Sequence, residues 1–141
     1  MFPLCPGLGC ARLRTKGPEM RSVQILQHCF ARVADLVPAV LDGLSTEDVC
    51  WRPDAEANSI GWLIWHLTRV QDDHVAGVAG SEQVYGDWAD AFDLPYGDDM
   101  GFGMTSEQVA AFRISSPKLL SDYYAAVHAR TLEFLPTLTD A

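Results

Sequence analysis

Apolar residues recur at steps of three and four along the first part of the chain, from Met20 onward. The members of this stripe are Val23, Leu26, Phe30, Val33, Val37, Val40 and Leu44. Such spacing is typical of a helix with one buried face. Pro38 lies late in the pattern, where the loss of a backbone donor predicts a kink or an early end, and Gly43 predicts the final stop. We therefore predict a first long helix from Met20 to Gly43.

A second long helix is predicted from Ile60 to Gly80, after a capped single turn at residues 45–48. Its first half is apolar and aromatic on nearly every side, and its second half becomes polar. A helix of this kind is wrapped by neighbours at one end and emerges toward solvent or a cleft at the other. We expect the acidic pair Asp72 and Asp73 to be solvated there. Asp73 is also expected near the cleft mouth, beside His74.

A long connection follows at residues 81–104 and contains Tyr85, Trp88, Phe92, Tyr96 and Phe102. Connections of this length are uncommon inside compact domains and are often functional. The segment is predicted to cross one end of a helical bundle. Two roles remain open for its aromatic side chains, either packing against the bundle or forming a lid that faces a substrate.

A capping box at residues 105–108 predicts a short helix, and Ser116 followed by Pro117 predicts the start of a third long helix that reaches the region of Pro136. An even number of helices is the usual way to close such a bundle. The sequence therefore predicts an all-α, up-down four-helix bundle that lacks most or all of its fourth helix and is incomplete at the C-terminus.

The first nineteen residues are rich in Pro and Gly and have no helical period. Their positive charges follow an interrupted apolar run, which does not match a secretory signal. We predict a disordered leader at residues 1–19 and one helical domain at residues 20–141. That domain has 7 basic and 18 acidic residues, which disfavours nucleic-acid binding. Its apolar runs are too short to predict a membrane span.

Four cysteines, at positions 5, 10, 29 and 50, show no paired spacing of the zinc-ribbon kind. Cys29 and Cys50 lie among apolar residues. We predict that they are small buried hydrophobic side chains of a reducing compartment, rather than a disulfide or a reactive thiol. The expected location is the cytoplasm.

Four histidines, at positions 28, 66, 74 and 128, are candidates for metal binding or proton transfer. His66 and His74 are separated by about 12 Å of helical rise, too far to share one ion. His66 lies in the most apolar segment, where a polar ring needs a buried partner. Any metal at His66 would take its other ligands from different helices. Surface or packing roles are the alternative for all four histidines.

The stretch from Leu41 to Val78, above all Asn58-Ser59-Ile60-Gly61-Trp62-Leu63-Ile64-Trp65-His66-Leu67, resembles the DinB-like superfamily. The similarity is greatest to its actinobacterial mini-circle-type branch, related to mycothiol-dependent enzymes. The resemblance implies a divalent metal, zinc or nickel, and metal-assisted transfer of a low-molecular-weight thiol. By motif match His66 would be the first metal ligand, with Asp73, His74 and His128 as cleft-lining candidates.

Two further ligands would be expected one turn apart on a fourth helix, and they have no counterpart in this sequence. With a single imidazole the coordination sphere would be left mostly to water. The alternative is a catalytically inert helical module that associates through its uncovered apolar face, for example as a homodimer.

Overall fold

The computed structural model describes residues 21–139, and every regular element within them is a helix. The three long helices are α1 (Ser22–Leu41), α3 (Ile60–Ala79) and α6 (Pro117–Phe134). The shorter elements are α2 (Thr46–Cys50), α4 (Ala89–Phe92), α5 (Ser106–Ala110) and 3₁₀ turns at Val84–Asp87 and Leu135–Thr137. The predicted all-α class is confirmed. No described helix is long and apolar enough to cross a membrane. The predicted leader, residues 1–19, lies outside the described residues.

The side-chain caps predicted at the starts of α2, α3 and α5 are present, whereas Ser116, before α6, makes no capping hydrogen bond with its side chain. The Ser59 hydroxyl accepts a hydrogen bond from the Trp62 N–H and starts α3, and Gly80 ends it with a left-handed φ of 65°. Ser45 and Thr105 open α2 and α5 with capping boxes. Helix boundaries therefore follow local backbone chemistry, in which side-chain oxygens satisfy the free N–H groups of the first turn.

Contacts at one end of the bundle fix the helix directions. Thr46, after α1, donates to the carbonyl of Ser115, before α6, at 3.5 Å. Gly61, in the first turn of α3, approaches Val49 and Phe112 so closely that a Cβ there would lie 2.9 Å from an atom of each. Since α1 ends where α3 and α6 begin, α6 runs parallel to α3 and antiparallel to α1. Both α1 and α3 pack mainly against α6.

The connection between α3 and α5, residues 81–104, is called the crossover below. Three of its aromatic rings pack around Tyr123 of α6, with centroid distances of 5.7 Å for Tyr85, 5.7 Å for Trp88 and 5.4 Å for Phe92. These three rings pack in the main core. Of the two roles predicted for the aromatic side chains, packing against the bundle is therefore the correct one for Tyr85, Trp88 and Phe92. Phe102 differs, because it is 89% exposed.

Three expectations for the first helix are corrected. Of the two outcomes predicted at Pro38, a kink or an early end, the early end does not occur, because α1 continues to Leu41 and buries Val37 and Leu41 on either side of the proline. Cys29 is exposed rather than buried. Leu26 and Val40, assigned to the buried stripe, are also exposed. The exposure of Cys29, Leu26 and Val40 has a common cause, which is that the apolar residues of α1 form two stripes and α6 covers only one of them.

Candidate functional site

His66 lies half-buried on α3, under the end of the crossover. Its Nδ1 is 2.5 Å from the carbonyl oxygen of Met100, and the ring of Trp62 stacks on the imidazole with centroids 4.7 Å apart. Because a carbonyl oxygen only accepts, Nδ1 carries the proton, and Nε2 of the neutral ring keeps its lone pair. The buried partner that the sequence predicted for His66 is therefore the backbone carbonyl of Met100. The ring nitrogen that remains available to a ligand is Nε2.

Gly101 allows the crossover to approach the His66 ring. Its φ is +101°, and a Cβ at this position would lie 2.9 Å from His66 Nδ1 and 3.0 Å from the Trp62 ring. The Gly101 N–H also donates to the Asp99 carboxylate at 2.8 Å. The absence of a side chain at residue 101 is therefore what brings the Met100 carbonyl within reach of the imidazole.

A buried polar network one turn further along α3 attaches the crossover a second time. Asp72 is only 3% exposed, so the expectation of a solvated position is wrong. Its carboxylate accepts hydrogen bonds from Val84 N–H at 2.9 Å, Tyr85 N–H at 2.8 Å and the Tyr123 hydroxyl at 2.9 Å. Burial raises the pKa of Tyr123, which keeps the phenol protonated as a donor.

Arg69 is the cationic member of this network and is 1% exposed. Its guanidinium donates to the Gln83 side chain at 2.6 Å and to the Asp98 carbonyl at 2.8 Å, and it lies 3.8 Å from the centre of the Tyr85 ring. The carboxylate of Asp72 is 4.0 Å away. A cavity of about 350 Å³ adjoins Arg69. The network was missed in the sequence, although Trp65, Arg69, Asp72 and Ala76 recur at helical spacing on one buried face.

The other predicted site residues do not contact His66. Asp73 accepts a hydrogen bond from the Gln83 amide at 2.8 Å. His74 is exposed, with Nδ1 2.7 Å from the Val70 carbonyl and 3.9 Å from the Asp73 carboxylate. Among the predicted site residues, Asp73 and His74 are thus close to each other but not to His66. Their cleft-lining role stays a prediction.

His128 lies on α6, half-buried and parallel to the ring of Tyr124, with centroids 6.0 Å apart. Its Nδ1 is buried and has no hydrogen-bond partner among the described residues. Burial lowers the pKa of His128, and the nearby carboxylate of Asp35 on α1 partly opposes this shift. The histidine is therefore held in its neutral form more strongly than in the unfolded chain.

This pKa shift predicts a pH dependence of stability. Because the folded pKa of His128 lies below its ordinary value of 6.5, the unfolded state takes up a proton first as the pH falls. The stability that depends on a neutral His128 is fully present above pH 6.5 and is lost as the pH falls from 6.5 through the folded pKa. When the pH is lowered from 7.5 to 5.5, we expect the free energy of unfolding to fall less for His128→Gln than for the wild type. Urea unfolding at the two pH values measures this difference. Equal losses would contradict this assignment.

A sequence profile of the DinB superfamily matches residues 30–141. The chain belongs to the DinB superfamily. A crystal structure of a conserved protein from Enterococcus faecalis superimposes on it with a TM-score of 0.78 and 24% identity, covering 86% of this chain and 74% of that one. At that identity the likeness shows the shared fold alone. Among curated proteins, none matches this sequence.

Whether this DinB-superfamily chain could bind a metal ion depends on the donor atoms that its side chains offer. Zinc takes four ligands, or three and a water, at about 2 Å. Between Arg21 and Thr139, no group of three or more His, Cys, Asp or Glu side chains could hold an ion. His66 Nε2 fits one ligand position.

Proposed function

We propose that this DinB-superfamily chain supplies one ligand, His66 Nε2, to a divalent-metal site of the zinc or nickel type. The observation that supports the proposal is the hydrogen bond from His66 Nδ1 to the Met100 carbonyl. Metal-ligating histidines usually donate their other ring N–H to a carbonyl, carboxylate or water, which fixes the tautomer and makes the free nitrogen more basic.

The chemistry that we propose for this site is transfer of a low-molecular-weight thiol of the mycothiol type. A bound divalent metal lowers the pKa of a coordinating thiol and so makes the nucleophilic thiolate. The protein's own part is to hold the imidazole. Trp62 stacks on one side of the ring, and Gly101 packs close to Nδ1 on the crossover. Both contacts limit rotation of the ring.

Metal binding tests this proposal directly. We expect wild-type protein to bind Zn²⁺ or Ni²⁺ weakly in calorimetric titration, and His66→Ala to bind at least about 10-fold more weakly, as expected when a ligand is lost. His28→Ala, an exposed histidine on α1, is the matched control and should bind as wild type does. Circular dichroism checks that both variants remain helical. Indistinguishable titrations for wild type and His66→Ala would contradict the proposal.

A second candidate function is an inert helical module that acts by association. It is favoured by large apolar side chains that stay exposed on α1 and α3, such as Leu36 and Leu63 at 55% and 46%. Metal content separates the two candidates. A folded, metal-free protein of defined stoichiometry supports the second.

A further inference from the structure

One peptide group of the crossover, between Met100 and Gly101, makes a hydrogen bond at each of its two ends. Its carbonyl oxygen lies 2.5 Å from Nδ1 of His66, and its N–H donates to a carboxylate oxygen of Asp99 at 2.8 Å. A trans peptide group is planar, and its C=O and N–H bonds point in opposite directions. The imidazole and the carboxylate therefore hold the same rigid unit from opposite sides.

The direction of the Met100 carbonyl is consequently tied to the direction of the Gly101 N–H. As long as this N–H points at Asp99, the carbonyl oxygen must point the other way, toward His66 on α3. A flip of the peptide group would turn the N–H toward the ring instead. Nδ1 would then face a donor and would have to accept, so that the proton of the neutral ring would move to Nε2.

Gly101 leaves the choice between these two orientations open. Its φ is +101°, and glycine adopts positive and negative φ values about equally readily. A peptide flip changes ψ of residue 100 and φ of residue 101 while the flanking chain stays almost in place. The backbone at this position therefore does not select the orientation of the Met100 carbonyl by itself.

The peptide group between Asp98 and Asp99 is held independently of His66. Its carbonyl accepts from the Arg69 guanidinium at 2.8 Å, and its N–H donates to the Tyr96 carbonyl at 3.0 Å. The Asp99 side chain therefore starts from a fixed part of the crossover. From there it reaches two residues ahead to the Gly101 N–H, and so it selects the orientation that the glycine leaves open.

We propose that Asp99 is a positioning residue for His66, whose carboxylate holds the Met100–Gly101 peptide so that the ring proton stays on Nδ1 and Nε2 stays free. A carboxylate bond to a backbone N–H is charge-assisted and stronger than a neutral one. Hydrogen bonds in a chain also polarise one another, which makes the carbonyl a better acceptor. The inference rests on the proposed function, because a free Nε2 matters there as a metal ligand.

The tautomer of His66 in metal-free protein tests this proposal. Two-dimensional NMR of the ring nitrogens shows which one carries the proton, at about pH 8.5, where histidine is ordinarily neutral. We expect the Nδ1–H form in the wild type. In Asp99→Ala the ratio of the Nδ1–H form to the Nε2–H form should fall about 5-fold, the effect of losing one hydrogen bond. A spectrum of His66→Gln assigns the signal.

Asp99→Asn and Asp98→Ala are the matched variants. Asparagine keeps an oxygen acceptor at residue 99, so Asp99→Asn should retain most of the Nδ1–H form. Asp98→Ala removes the same charge one residue earlier but keeps the carbonyl that Arg69 bonds, and it should match the wild type. His74, whose Nδ1 lies 2.7 Å from the Val70 carbonyl within α3, is an internal reference that should not change.

Asp99 is exposed, so circular dichroism should show unchanged helices in each variant. A wild-type ring with its proton on Nε2, or an unchanged tautomer ratio in Asp99→Ala, overturns the proposal and leaves Asp99 as an ordinary turn residue. A loss in Asp98→Ala or Asp99→Asn as large as that in Asp99→Ala overturns it as well. Because no metal is present, a failed metal titration leaves this result unchanged, and the metal and positioning proposals fail separately.

Discussion

Replacing Asp72 with alanine is expected to lower the free energy of unfolding by about 3–5 kcal/mol, the cost of breaking a buried ion pair. The Asp72 carboxylate accepts from two backbone N–H groups of the crossover and from the Tyr123 hydroxyl. Its removal leaves these buried donors unpaired and leaves Arg69, 1% exposed, without its acidic neighbour. The crossover should loosen near Val84 and Tyr85.

Urea unfolding followed by circular dichroism measures this effect. Asp122→Ala is the matched control, because Asp122 pairs with Lys118 at 2.6 Å across an exposed turn of α6. Exposed pairs of this kind contribute about 0–1 kcal/mol. Asp72→Asn should fall between the two, since an amide oxygen can still accept from the crossover. A loss below about 1 kcal/mol for Asp72→Ala would show that the network adds little to stability.

The second large effect is expected for Gly101→Ala. A left-handed φ of +101° strains a residue with a Cβ, at a cost of about 1–3 kcal/mol. The new methyl group would also lie within 3.1 Å of atoms of His66, Trp62 and Trp65, and such overpacking costs about 1–3 kcal/mol more. The crossover must shift, and the hydrogen bond from His66 to the Met100 carbonyl should break.

Gly103→Ala separates the two costs, because Gly103 has a φ of +73° and no atom within 4 Å of its would-be Cβ. Its substitution should show the backbone strain alone. Urea unfolding of both variants and proton NMR of the His66 imidazole are the measurements. If the two variants lose equal stability and the Nδ1–H resonance of His66 is unchanged in Gly101→Ala, close packing at residue 101 is not needed.

Both effects concern the attachment of the crossover to α3. Asp72 holds its beginning, Arg69 bonds the carbonyl of Asp98, and His66 bonds the carbonyl of Met100. The imidazole that we propose as a metal ligand is therefore oriented by a loop that a separate buried network holds in place. We expect damage at Asp72 to weaken metal binding through the position of this loop, without removing a ligand.

The helices and their ends could be predicted because their causes are local. Ser59 and Thr105 cap the N–H groups three residues later, and Gly80 ends α3. The burial of Asp72 could not be predicted in this way. The polar second half of α3 predicted a solvated position for the acidic pair Asp72 and Asp73, and the partners of Asp72, which are Val84, Tyr85 and Tyr123, are 12, 13 and 51 residues away.

The sequence by itself determined an all-α chain with three long helices, a crossover of aromatic residues and a histidine in the most apolar helix, because helical period and capping depend on residues within a few positions of each other. Only the tertiary structure decided which apolar stripe of α1 is covered, and that a carbonyl at Met100 is the partner of His66. Those outcomes depend on which neighbour packs against a face, and periodicity does not name that neighbour.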